Sequence, residues 1–184
     1  MKAKKIMITG IILLAAFSGK SQVVFGIKEG INLSTQSEIG MLWDNNDIKT
    51  GFTLGASFDN RFHEVISVQT EINYKTVGLV YTTGESSRKQ IITQNYSYYN
   101  VPLLLKGRFS EQLGLSAEWL VSFYGGPYFS YLQSAESERK ENGITTTKAL
   151  DEESERSDIG FVFGGEIARI FSKGELFLDL RYEM

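Results

Sequence analysis

The 184-residue chain carries few side chains equipped for catalysis. Its single histidine, His63, stands between Phe62 and Glu64. It could serve as a general base or activate a serine, but that work needs a nucleophile and an orienting carboxylate brought to it. No phosphate loop, dinucleotide fingerprint or nucleophile elbow accompanies it. Cysteine is absent, which removes disulfides, thiolate zinc sites and cysteine nucleophiles together. Asp44 and Asp47, and the run Asp151, Glu152, Glu153 and Glu155, could offer carboxylate oxygens to calcium, yet neither spacing follows an EF-hand loop. Asn32-Leu33-Ser34 and Asn95-Tyr96-Ser97 fit the glycosylation acceptor pattern, but the first falls inside a predicted strand. The reading is therefore no catalytic residue, no cofactor and no metal site, with His63 a solvated turn residue.

Charge narrows the partners. Lys and Arg number 19 against 22 Asp and Glu, with no basic block, so no footprint for nucleic acid exists. Lys2, Lys4 and Lys5 precede an uncharged run from Ile6 to Phe17, followed by Ser18, Gly19, Lys20, Ser21 and Gln22. That is the three-part layout of a secretory signal peptide, and the run is too short for a spanning helix, which needs about 20 residues. Gly19 and Ser21 place the cut near Ser21/Gln22. Removing residues 1–21 takes four of the 19 basic residues and no acidic one, leaving 15 against 22 in an exported, acidic domain of residues 22–184.

The elements that must position any site alternate with a period of two. Residues 51–60 put Phe52, Leu54, Ala56 and Phe58 on one face and Gly51, Thr53, Gly55, Ser57 and Asp59 on the other. Residues 66–75 set Ile66, Val68, Thr70, Ile72 and Tyr74 against Ser67, Gln69, Glu71, Asn73 and Lys75. Residues 23–34 repeat the pattern with Glu29 as the one charge on the apolar side. Residues 96–109 alternate Tyr99, Val101, Leu103, Leu105 and Phe109 with Asn100, Lys106 and Arg108. Three further strands are predicted at 115–133, 158–171 and 175–183.

Connections of unequal length discriminate between folds. The gaps 35–50, 84–95 and 134–157 are long, whereas 61–63, 110–114 and 172–174 are tight, and the two kinds alternate. An antiparallel up-and-down transmembrane β-barrel has that asymmetry, with short turns on the periplasmic side and long loops outside. Strands of this length can cross a bilayer when tilted. Aromatics gather near strand ends, with Tyr81, Tyr96, Tyr98, Tyr99 and Tyr131 toward the loops and Phe62, Phe109 and Trp119 toward the turns, as interfacial girdles require. On this reading Phe52, Leu54, Phe58, Ile66, Val68, Ile72, Leu103 and Leu105 face lipid. Lys28, Glu71, Lys75, Lys106, Arg108, Glu118, Glu166, Asp179 and Arg181 share the lumen, where they would meet as ion pairs and plug it. The alternation by itself also allows a soluble periplasmic lipocalin-like barrel with its apolar face inward, holding a small apolar ligand.

The segments FGIKEGINLS (25–34), YYNVPLLLKGRF (98–109), GGPYFSYL (125–132), GFVFGGEI (160–167) and LFLDLRY (176–182) together resemble the PorT-like outer-membrane β-barrel family. The resemblance covers most of the chain from residue 23. It implies an eight-stranded outer-membrane barrel; the founding member takes part in protein secretion, a role that barrel motifs alone do not transfer. Barrel enzymes that trim lipid acyl chains are similar in size, but they work with Ser or His near the outer face, whereas His63 falls at the turn end.

The expected fold is thus all-β, of the eight-stranded type with seven strands present, the C-terminal strand apparently missing. An odd count leaves the sheet open between 25–33 and 176–182. The tight turn at 110–114 places Leu105 beside Trp119 and Leu103 beside Val121. Expected partners are outer-membrane lipid and an unidentified protein or glycan at loops 35–50, 84–95 and 134–157.

Overall fold

The computed structural model of the chain describes residues 22–34, 46–47, 49–83, 90–141, 144–150, 156–172 and 174–184. The predicted signal peptide, Asp44 and the acidic run Asp151, Glu152, Glu153 and Glu155 lie outside the described residues. Among the described residues the strands are β1 (Gln22–Ser34), β2 (Asn46–Asp47), β3 (Lys49–Arg61), β4 (Ile66–Thr83), β5 (Gln90–Arg108), β6 (Trp119–Glu141), β7 (Ile144–Ala149), β8 (Ser157–Phe171) and β9 (Gly174–Glu183). The long strands follow one another in the order β1-β3-β4-β5-β6-β8-β9, every neighbouring pair antiparallel, while β2 pairs with β4 and β7 with β6. This is the expected meander.

β1 and β9 lie at opposite ends of that order, yet Lys28 Nζ of β1 is 3.2 Å from Asp179 Oδ2 of β9. The sheet therefore curls round until its ends approach. Among the described residues their backbones are not paired, and no described strand covers either edge. The curl has a polar concave face and an apolar convex one. Ile27, Ile31, Ile72, Leu103, Leu105, Leu178 and Leu180 are exposed on the convex face, while Glu71, Asn73, Asn100, Lys106 and Ser122 are buried on the concave one. A lipocalin-like barrel has the opposite arrangement, so the soluble reading does not describe this sheet.

Close packing on the concave face depends on two glycines of β8. A Cβ on Gly164 would stand 2.5 Å from both the Tyr124 hydroxyl and the Leu180 carbonyl oxygen, and one on Gly160 would stand 2.4 Å from the Tyr128 hydroxyl. The two tyrosines of β6 lie over these positions, and with Leu104 and Val162 they form a small buried apolar cluster. Only residues without side chains leave that space on a strand.

Two expectations change. The connection after β5 runs to Glu118, held by bonds from Leu113 N–H to Phe109 C=O, Gly114 N–H to Glu111 C=O and Leu115 N–H to Ser110 C=O, with Gly114 at φ 66°. A longer turn moves the register: Leu105 faces Gly125, not Trp119, and Phe109 N–H reaches the Val121 carbonyl, so Leu103 does not meet Val121. The displacement is by an even number of residues, so the faces survive it. The second change concerns loop 134–157, much of which is strand: β6 continues to Glu141 and β7 folds back on it. Thr145, Thr146 and Thr147 favour extended backbone, and a hairpin in water can carry charges on both faces. Residues 90–95 of the second predicted loop likewise belong to β5.

Candidate functional site: the polar interior of the curl

Glu71 is the centre of the concave face, 1% exposed. Its Oε1 accepts from Lys28 Nζ at 2.7 Å, Gln69 Nε2 at 2.6 Å and Arg181 Nη2 at 3.1 Å. Its Oε2 accepts from Asn73 Nδ2 at 2.8 Å and Arg181 Nη1 at 2.9 Å. One carboxylate on β4 thus collects donors from β1, β4 and β9. Asp179 forms the second acid of the group: Arg181 Nε donates to Oδ1 at 3.0 Å, the Tyr124 hydroxyl donates to Oδ1 at 2.7 Å, and Lys28 donates to Oδ2. Two cations and two anions share this layer, and each charge meets both opposite ones. Ions removed from water are tolerable when neutralised and hydrogen-bonded to this degree.

Toward the tight turns lies a second layer. Lys106 Nζ is 2.5 Å from Glu166 Oε1 and 3.2 Å from Gln69 Oε1, so Gln69 joins this layer to Glu71. Arg61 forms a fork with Glu175 at 2.8 and 2.7 Å and reaches Asp59 at 3.2 Å. Arg108 donates to the Glu64 carbonyl oxygen at 3.2 Å and lies 3.7 Å from Asp59. Toward the loops, Lys75 pairs with Glu183 and stands over the Tyr128 ring, while Asn100 donates to Ser130 Oγ.

Of the nine residues expected in this interior, Lys28, Glu71, Asp179 and Arg181 meet in the central layer, Lys106 and Glu166 meet each other, and Lys75 and Arg108 find partners not singled out from sequence. Glu118 is a correction. β6 begins at Trp119, so Glu118 belongs to the turn, with its side chain 66% exposed and paired to Arg169 at 3.6 Å. Asp59 and Glu183 keep the polar face that the period of two gives them, although the expected cluster left them out; Arg61, Tyr124 and Glu175 lie on the same parity, and the period of two alone would have found them.

The convex face holds Phe52, Leu54, Phe58, Ile66, Ile72, Leu103 and Leu105 exposed, and Val68 on the same parity. Tyr74, Tyr99 and Tyr131 are successive cross-strand partners, and Tyr74 packs against Phe52 and Tyr99 at ring centroid distances of 5.9 and 5.8 Å. Glu29 falls in the same cross-strand row, opposite Leu54, which itself faces Tyr74. Tyr96 and Tyr98 correct the girdle expectation: on the parity of Asn100 and Lys106 they face inward and stack on each other. At the turn end Phe62, Phe109, Trp119 and Phe171 are exposed, and the Arg169 guanidinium lies over the Trp119 and Phe171 rings at 5.6 and 5.4 Å. Aromatic rings with a cation above them suit a membrane–water boundary.

His63 is exposed in the 62–65 turn, where its Nδ1 accepts the Val65 N–H at 3.2 Å. Among the described residues no cluster of three or more His, Asp and Glu side chains could hold a metal ion.

No curated protein and no solved structure matches the chain. Residues 17–184 match the family described as outer membrane protein beta-barrel domain. An antiparallel meander with an apolar convex face and an ion-paired interior is what that description requires, and the chain belongs to the outer-membrane β-barrel domain family.

Proposed function

We propose that the protein is a small, non-catalytic outer-membrane barrel whose lumen is plugged by its own side chains and whose outward loops carry its binding or structural role. The observation behind this reading is the Glu71 layer: five hydrogen bonds converge on one carboxylate in the middle of the curl. A lumen of about eight strands is just wide enough for side chains to fill. In this reading residues 1–21 direct export and are removed near Ser21/Gln22, the tight turns face the periplasm, and segments 35–50, 84–95 and 134–157 meet a protein or glycan outside. The antiparallel pairing of β6 with the exposed β7 gives the last of these segments a hydrogen-bonded scaffold. The PorT-like resemblance carries a finer reading, a part in protein secretion played through the same outward surface.

Reconstitution into planar bilayers tests the plug. The expected result is membrane insertion without stepwise ion conductance; steady single-channel currents at neutral pH contradict it. Deleting residues 136–149 should then abolish partner capture while leaving insertion intact.

A further inference from the structure

Among the described residues, two charged side chains stand on the convex face of the membrane-crossing strands, and their settings differ. Arg169 lies near the tight turn after β8, paired with Glu118 and over the Trp119 and Phe171 rings, as suits a boundary. Glu29 lies in the middle of β1, and its carboxylate has no hydrogen-bond or ion-pair partner among the described residues. The side chains that share its face of β1 are Val23, Phe25, Ile27, Ile31 and Leu33, all exposed, with Ile27 at 73% and Ile31 at 79% on either side of it. Its cross-strand neighbour is Leu54, also exposed, and Ala56 is the one small side chain between Leu54 and Phe58. Farther along the same row are Tyr74, Tyr99 and Tyr131 at the loop-end boundary. Barrel strands tilt by about 40°, so a row perpendicular to them changes height by about 3 Å at each strand. The apolar stripe gives the direction: β1 stays apolar for two outward positions beyond Glu29, whereas the outward positions beyond Tyr99 on β5 are Ser97 and Asn95. Glu29 is therefore about 9 Å deeper than Tyr99, near the middle of the apolar band.

We propose that the outer face of β1 and β3 around Glu29 is a lateral docking site for a membrane-embedded segment of another protein, one that carries a lysine or arginine at mid-depth among apolar residues. A carboxylate turned to hydrocarbon is destabilising, and an opposite charge at the same depth removes that penalty. Charge and depth together select the occupant. The apolar side chains around Glu29 suit the apolar residues that flank such a cation, and the space over Ala56 admits its long methylene stem. A lipid amine does not meet the requirement, because its ammonium group stays at the headgroup boundary. Neither does a second copy of this chain. A two-fold axis along the membrane normal keeps each residue at its own depth, and Arg169, the outward cation of the described strands, lies at the turn end. The proposal rests on the outer-membrane reading and adds a sideways partner to the one met by the loops.

The 184-residue chain is reconstituted in phosphatidylcholine vesicles with a blocked Leu/Ala transmembrane peptide of about 24 residues that carries one central lysine. Dicyclohexylcarbodiimide partitions into lipid and takes up the water lost when a carboxyl and an amine join, so it converts a Glu29–lysine contact into an amide. The expected product is the tryptic fragment 29–49 joined to the peptide. Its yield should be about tenfold higher than with a peptide whose lysine sits at one end, and Glu29→Gln should abolish it. Equal yields from the two peptides, or no product, overturn the proposal. In vesicles without peptide, Glu29→Leu should raise the urea midpoint; a fall would mean that the carboxylate already has a partner within the chain, and would overturn it too. The chain has no cysteine, so Glu29→Cys introduces a unique thiol, and a disulfide-linked dimer in the same vesicles would give the site to a second copy and refute the proposal. Leu103→Cys should react with an apolar maleimide. If it does not, the membrane reading fails and the docking site with it; if it does while the central-lysine peptide gives no amide, the docking site alone is refuted.

Discussion

Leu103 and Leu105 on β5 are half-exposed or more on the convex face, whereas the next residues along, Leu104 and Lys106, are 0% and 4% exposed on the concave one. Apolar groups lie where no protein covers them, and a lysine is almost wholly buried. In a water-soluble fold both choices would be destabilising. In a bilayer the first becomes favourable, and the second is tolerated because Glu166 and Gln69 receive the charge. The difference between the faces locates the solvent: hydrocarbon outside, and inside a matrix of paired charges.

The sharpest way to break this contrast is to remove the acid that organises the interior. Glu71→Ala leaves Lys28 and Arg181 with only Asp179 between them, and a loss of about 3–5 kcal/mol is expected, read as a lower urea midpoint for unfolding from lipid vesicles. Next in size is a charge on the outer face: Leu103→Arg should lose about 2–4 kcal/mol in the same assay, and Phe171→Arg, at the turn end, about 0–1 kcal/mol, because the penalty falls with distance from mid-depth. Gly164→Ala forces a methyl group against the Leu180 carbonyl oxygen and the Tyr124 ring, and about 1–3 kcal/mol should be lost through overpacking. Smallest is Glu118→Ala. Its pair with Arg169 is exposed and outside the curl, so the urea midpoint should move by less than about 1 kcal/mol. A Glu118 effect as large as that of Glu71 would return this residue to the interior.

Parity was legible in the sequence, and height was not. The period of two assigns every side chain of a strand to one face regardless of where the strand starts, which is why Lys28, Glu71, Lys106, Glu166, Asp179 and Arg181 could be grouped before any contact between them was known. Where a strand starts depends on turn geometry, and the bonds that extend the 109–118 connection carry little pattern in sequence. Taking that turn as five residues displaced the β5–β6 register and put Glu118 on a strand that begins one residue later. Tyr96 and Tyr98 show the converse error: proximity to a strand end suggested a girdle, although their parity already placed them inward. The β6–β7 hairpin escaped notice because outside a membrane a strand needs no apolar face, so its alternation mixes charges with threonines.

Single cysteines along β5 test the claim that lipid lies outside and paired charge inside. Substituted one at a time in membranes, Tyr99, Val101, Leu103 and Leu105 should react with an apolar, lipid-phase maleimide. Asn100, Leu104 and Lys106 should resist both that reagent and a charged aqueous one until the protein is unfolded. A reactivity pattern that alternates with every residue is the predicted result. Lipid-phase labelling at the even positions, or rapid aqueous labelling at the odd ones, would contradict the account.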